Sequence, residues 1–283
     1  MTLPNQLNKL LMKDSYTIFG QGFVGKNIVK FLKKKNYKVY VPKKGKFVFK
    51  KNLNNIINCI GSTNWSDSKA LHEGNLGVVE KIIFNNKFKS FTLLSSTRVY
   101  LGNSKKRARE SDLINIDTKD KNYFYNLLKV SAENICLSLP NKKIKVVRLS
   151  NLFGDNFTKQ STLLPSLIRK AVKEKKINIF VNRKSSKDYL DVNEALSVLF
   201  KIINKGKYRL YNIAYGKNIE LYKIAKEIKK VTNCRVSYTN QNKLVREPII
   251  NINRVKKEFN FKPKKNLINS IEEIIINYKK NQN

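Results

Sequence analysis

Tyr125 and Lys129, in the stretch "NYFYNLLKVSAEN", stand four residues apart. On a helix that spacing stacks them on one face. A phenol ordinarily titrates at about 10. A cation one turn away lowers that value, so the hydroxyl can give or take a proton near neutral pH. The spacing also occurs at Tyr40–Lys44 and Tyr222–Lys226. Tyr40–Lys44 spans Pro42 and a glycine turn, so it is not one helical face. Tyr222–Lys226 falls on a helical pattern near the C-terminus. Only Tyr125–Lys129 follows a strand ending in hydroxyls, "LLSST". There a serine hydroxyl opposite is available to hold a reacting oxygen. Tyr123 lacks such a partner and reads as a packing or substrate-edge residue.

Other chemistries are poorly supplied. The 283 residues contain one histidine, His72, so a multi-histidine zinc site and an HExxH motif are excluded. No GxSxG elbow accompanies His72 for a serine triad. Cys59, Cys136 and Cys234 are far apart and match no ligand spacing, which suits a reducing compartment. No metal is expected. The formal net charge of +38 is extreme, but the lysines spread along the whole chain without forming a block or stripe. That reads as surface composition rather than a nucleic-acid footprint, so nucleic acid is not the expected partner. The charge still favours anionic small molecules.

The elements that must position Tyr125 and Lys129 follow from periodicity. In "YTIFGQGFVGKNIVKFLKKKNYKVYVP" a short apolar strand meets Gly20-Gln21-Gly22-Phe23-Val24-Gly25, then a helical pattern, then a second strand. Glycines so placed allow a tight turn, close approach of a pyrophosphate to the backbone, and close helix–strand packing. The helix N-terminus then offers free N–H groups to the anion. An acid at the end of the second strand would accept a ribose hydroxyl. The strand ends instead in "VPKKGK", and Lys43 and Lys44 favour the 2′-phosphate of NADP over NAD.

A third strand, Ile56–Ile60, ends at Gly61-Ser62-Thr63 only about fourteen residues later, too few for a full helix and strand between. Alternation then continues through "NLGVVEKIIFNNKF", "SFTLLSSTRVYLG", "YNLLKVSAENICLSL" and "IKVVRLSNLFG". This is an α/β chain with a Rossmann-type doubly wound parallel sheet. Gly20, Gly61, Ser95, Ser96 and Asn151 all fall at carboxyl ends of strands, where such sheets bind ligands. We place a dinucleotide-binding domain at 14–155. A smaller α/β substrate-binding part occupies 156–283, with about 188–215 returning to pack on the first domain.

The ordered set "GQGFVG", "INCIGST", "EGNL", "LLSSTRVY", "YNLLK", "VRLSNLFG" and "KDYLDVNEA" resembles the extended short-chain dehydrogenase/reductase family of sugar-nucleotide epimerases, dehydratases and reductases. The resemblance runs from about Tyr16 to Tyr278. It implies that Gly20, Gly22 and Gly25 form the glycine turn and that Gly61 and Ser62 line the cofactor. Tyr125 and Lys129 would be the catalytic pair and also contact the cofactor, with Ser96 as the catalytic hydroxyl and Thr97 as the runner-up. Asn151, Lys187 (where the family has Arg) and Arg246 would contact the substrate diphosphate. The glycine run is one residue shorter than usual. After Ser96 come Thr97 and Arg98, where family dehydratases and decarboxylases carry an acid.

The missing acid argues against dehydration and decarboxylation, and Lys43 and Lys44 then favour reduction of a keto-sugar nucleotide, in surface polysaccharide synthesis, by NADP or NAD. The alternative on the same fold is a 4-epimerase with tightly bound NAD. A non-catalytic dinucleotide- or RNA-binding protein is the alternative of another class. The resemblance also implies a homodimer formed through helices near 75–86 and 125–138. The N-terminus lacks the apolar core of a signal peptide, and no segment has eighteen apolar residues in a row, so the expectation is a cytoplasmic chain without a membrane span.

Overall fold

The first apolar run forms β1 (Ser15–Phe19), followed by α1 (Phe23–Lys34) and β2 (Lys38–Tyr40). The computed structural model describes residues 15–103, 105–154, 162–242, 244–245 and 247–280. Helix α1 buries Gly25, Ile28 and Leu32, the face its periodicity marks as apolar. Next come β3 (Asn55–Asn58), α2 (Ser68–His72), a π turn (Glu73–Gly77), α3 (Val78–Phe84), β4 (Ser90–Ser96) and the short β5 (Arg107–Ala108). Helix α4 (Phe124–Ser138) precedes β6 (Ile144–Leu149) and β7 (Asn151–Phe153). The remainder is α5 (Leu163–Lys173), β8 (Lys176–Ile179), β9 (Ser186–Asp191), α6 (Val192–Lys205), β10 (Leu210–Ile213), β11 (Asn218–Glu220), α7 (Leu221–Thr232), β12 (Arg235–Tyr238), β13 (Ile249–Ile250), α8 (Asn253–Phe259) and α9 (Leu267–Lys280).

Six strands form one sheet in the order β10-β6-β4-β3-β1-β2, and the pairs β2–β1, β1–β3 and β3–β4 are parallel. The chain leaves β1 for the edge strand β2, then returns to the other side of β1 as β3. That reversal opens a crevice beyond the carboxyl ends of β1 and β3. Residues 41–54 contain neither helix nor strand, as their length required. They are pinned instead by Asn86, whose Oδ1 accepts from Phe49 N at 2.9 Å and whose Nδ2 donates to Phe47 O at 2.8 Å.

Two compact units emerge: residues 1–95, 118–147 and 207–209, and residues 96–117, 148–206 and 210–283. Of the described residues, 96–117 and 148–154 fall in the second unit, and 207–209 in the first. Two local readings change. "RLSNLFG" reads as one buried strand but is two. Strand β6 ends at Leu149, and β7 joins β9 and β11 in a separate three-stranded sheet. The periodic run from Asn75 begins in a π turn rather than an α-helix, a wider winding that apolar spacing does not encode.

Helix α4 has no basic residue in its last turn, so its free carbonyls need another donor. Arg209 supplies it. Its Nη1 donates to Leu137 O at 2.8 Å, its Nη2 to Cys136 O at 2.6 Å and its Nε to Ile144 O at 3.2 Å. Arg209→Ala is expected to lower stability by about 2–4 kcal/mol, since charged donors are lost from part-buried carbonyls. Urea unfolding with an unchanged m-value checks it.

Candidate active site

The glycine turn is built as its spacing suggests. Gly20 has φ +100°, a left-handed conformation open to glycine, and a Cβ there would lie 2.9 Å from Cys59 C and Ile60 N. A Cβ on Gly25 would fall 1.9 Å from the Gly20 carbonyl oxygen, so α1 touches the turn directly. Gly22 is different: it is the N-cap of α1, and nothing lies within 4 Å of where its Cβ would be. The first turn of α1 carries no acidic residue and no side-chain cap. Its N–H groups are thus presented to an anion without a competing carboxylate. Phe23 and Val24 begin the helix half-buried. Gln21 Nε2 donates to Pro42 O at 3.4 Å, tying the turn to the loop carrying the exposed Lys43 and Lys44.

Across the crevice, β3 ends at Asn58 and the chain runs through Cys59 to Gly61 and Ser62. A Cβ on Gly61 would sit 3.4 Å from Lys129 Nζ and 3.3 Å from Asn75 Oδ1, so this glycine admits both side chains. Asn75, buried in the π turn, clamps the loop: its Nδ2 donates to Ser62 O at 2.9 Å and its Oδ1 accepts from Ser62 N at 3.3 Å. A buried clamp of this kind, on the asparagine of "EGNL", leaves no spacing signature.

Tyr125 and Lys129 lie on α4, both buried, with Lys129 Nζ 5.9 Å from the Tyr125 ring centre. Burial pulls the Lys129 ammonium down to about 8, and the Glu133 carboxylate and Cys59 partly oppose that pull. Burial pushes the Cys59 thiol well up, with Lys129 opposing. Glu133, one further turn along α4, is 2% exposed and accepts a hydrogen bond from Ser95 Oγ at the end of β4. Sequence reasoning missed Glu133, although "KVSAE" carries an i,i+4 signal for it. Trp65, in the loop after Ser62, sets its ring 5.4 Å from that of Tyr125, tilted by 43°.

The second unit holds the remaining candidates. Ser96 Oγ accepts from Arg98 N at 3.2 Å and caps the 3₁₀ turn Thr97–Tyr100, while Thr97 is buried. Asn151 Nδ2 donates to Asp188 O at 2.9 Å. The Asp188 carboxylate accepts from the backbone N–H groups of Tyr215 at 2.8 Å, Gly216 at 2.7 Å and Lys217 at 3.1 Å. Burial pushes Asp188 up to about 6 despite those three donors. Lys187 is ion-paired with Glu247 at 3.1 Å. Arg246 lies outside the described residues. Among the described residues no group of His, Cys, Asp and Glu could hold a metal ion, and no helix is long and apolar enough to cross a membrane.

Known structures share this fold. A dTDP-glucose 4,6-dehydratase from Bacillus anthracis in complex with NAD superposes with TM-score 0.78 at 18% identity, over 95% of this chain and 98% of that one. The UDP-glucose 4-epimerase of Thermotoga maritima with UDP-glucose gives 0.78 at 15% identity, over 95% and 100%. RMD from Pseudomonas aeruginosa complexed with NADPH gives 0.76 at 17%, over 95% and 100%. Compared with curated proteins by sequence, the chain matches none. Residues 50–214, more than half of the chain, match the NAD dependent epimerase/dehydratase family. With its glycine turn at the β1/β3 reversal and Tyr125–Lys129 beside Gly61, the chain is an enzyme that belongs to the NAD dependent epimerase/dehydratase family.

Proposed function

We propose that the chain is an NADP- or NAD-dependent reductase of a keto-sugar nucleotide, serving surface polysaccharide synthesis. The observation that carries this reading is the placement of Lys129 Nζ against Gly61, on the same helical face as Tyr125 and at the sheet reversal. The dinucleotide fits here on two grounds. The Cβ direction of Gly22 opens into space at an uncapped helix N-terminus, as a pyrophosphate requires. The loop with Lys43 and Lys44 is tethered to that turn through Gln21, which favours a 2′-phosphate. When bound, the nicotinamide supplies the hydride.

The residues of the chain do the rest. Tyr125 gives the proton to the sugar oxygen as the carbonyl is reduced. Lys129 holds positive charge beside the phenol and lowers its pKa. Ser96 holds the reacting oxygen, and Asn151, Lys187 and Arg246 serve the substrate diphosphate. Arg98, where an acid would serve dehydration, supports reduction or epimerisation over that reaction. By the same resemblance we propose a cytoplasmic homodimer.

Oxidation of NADPH or NADH by 4-keto-sugar nucleotides tests the reading. Purified protein that carries NAD⁺ and interconverts nucleotide hexoses without net dinucleotide turnover would replace it with the epimerase.

A pH profile follows from Lys129. The ammonium is held at about 8, so it is charged below that pH and neutral above it. If Tyr125 needs that charge, kcat/KM falls as pH rises through about 8. Glu133→Gln removes an opposing influence and is expected to move this alkaline limb down by about one unit. Steady-state rates from pH 6 to 10 (roughly the window spanned by the reference values) check it. A limb left in place would show that Glu133 does not act on Lys129.

A further inference from the structure

The chain has one tryptophan, and it stands beside the proposed proton donor. Trp65 is 48% exposed, while Tyr125 is 8% exposed, with the rings 5.4 Å apart. A scattered exposed apolar side chain needs no explanation. This one sits on a loop that is tightly held. Ser62 is clamped by Asn75, Trp65 N donates to Thr63 O at 3.1 Å, and Ser66 Oγ donates to Asn64 Oδ1 at 2.8 Å. Asp67 then starts α2 by accepting from Ala70 N at 2.9 Å. A large ring is therefore fixed, half in water, next to the phenol that would meet the sugar. Indole presents a flat apolar face of the kind that buries the C–H face of a pyranose, and aromatic rings carry a large share of binding energy at such sites.

We infer that Trp65 is a specificity residue, the platform on which the hexose ring of the nucleotide sugar packs while its reacting carbon faces Tyr125. This rests on the sugar-nucleotide reading above. It assigns Trp65 to the sugar and not to the nucleotide base or the dinucleotide. Because the chain holds no other tryptophan, its emission reports this position alone.

The experiment uses the full chain with its dinucleotide present throughout. UDP-, dTDP- and GDP-hexoses are titrated by calorimetry and by tryptophan emission, each beside the matching nucleoside diphosphate. The expected result is that the hexose form that binds changes the emission and its diphosphate does not. Trp65→Ala should raise KM for the 4-keto-sugar of that same nucleotide about tenfold, roughly one decade of affinity. It should leave dinucleotide affinity unchanged, and Trp65→Phe should recover most of the loss. Emission unmoved at calorimetric saturation, or an unchanged KM in Trp65→Ala, overturns the inference while leaving the reductase reading intact. If no nucleotide hexose binds the wild-type chain, the functional reading fails and the inference fails with it. A ring that merely covers Tyr125 would alter kcat with little effect on KM, which also overturns it.

Discussion

Tyr125→Phe is expected to lower turnover by about 10²–10⁴-fold, the range contributed by a positioned acid–base group. Dinucleotide affinity should stay within about twofold, since the change removes one oxygen and keeps the ring. The reason lies in what surrounds the phenol. Tyr125 is buried on α4, with Lys129 one turn on and Trp65 across the ring. Removing the hydroxyl keeps the ring in this packing and takes away the group that would carry the proton. Single-turnover reduction, followed by the loss of NADPH fluorescence, separates the chemical step from binding. A variant that retains full turnover would sink the assignment. It would also revive the reading of a dinucleotide-binding protein without chemistry.

The second large effect contrasts two glycines three residues apart. Gly25→Ala would place a methyl carbon 1.9 Å from the Gly20 carbonyl oxygen, where only backbone can yield. We expect a loss of at least about 3 kcal/mol, at the upper end of overpacking effects, or failure to fold. Gly22→Ala meets nothing within 4 Å. Its melting temperature should match that of the wild type, while affinity for NADPH or NADH falls more than about tenfold, because the methyl occupies the approach to the N-terminus of α1. Thermal unfolding of the apo chain and fluorescence titration of the dinucleotide read the two effects separately. If Gly22→Ala binds normally, the pyrophosphate does not lie at this turn.

Much of the first unit was legible because its signals are local. The glycine turn, α1, the hydroxyl-ended β4 and the Tyr125–Lys129 face each declare themselves within one short window, by period or by residue type. The shortened segment 41–54 was legible from length alone. What escaped depends on partners far along the chain. Asn75 is an ordinary asparagine until Ser62 folds against it, and Glu133 looks like a surface acid until Ser95 meets it. Strand β7 was hidden because "RLSNLFG" is continuous in character, and only the separate sheet with β9 reveals the break. The two-residue pair β5–β13 and the β8–β12 pair link segments too short or too distant for periodicity to announce.

The anchor of α4 has a consequence for the order in which this protein comes into being. The first unit takes its last three residues, 207–209, from beyond the middle of the chain, and Arg209 holds the end of the helix bearing Tyr125 and Lys129. A ribosome making this chain must therefore expose residue 209 before α4 can receive this anchor. The whole of the second unit's middle segment, 148–206, is already synthesised by then. The first unit thus receives its last anchor late, whereas domains of multidomain chains are usually completed from the N-terminal end during synthesis. Until Arg209 arrives, the nascent helix keeps its last carbonyls in water, and this contact closes a loop late.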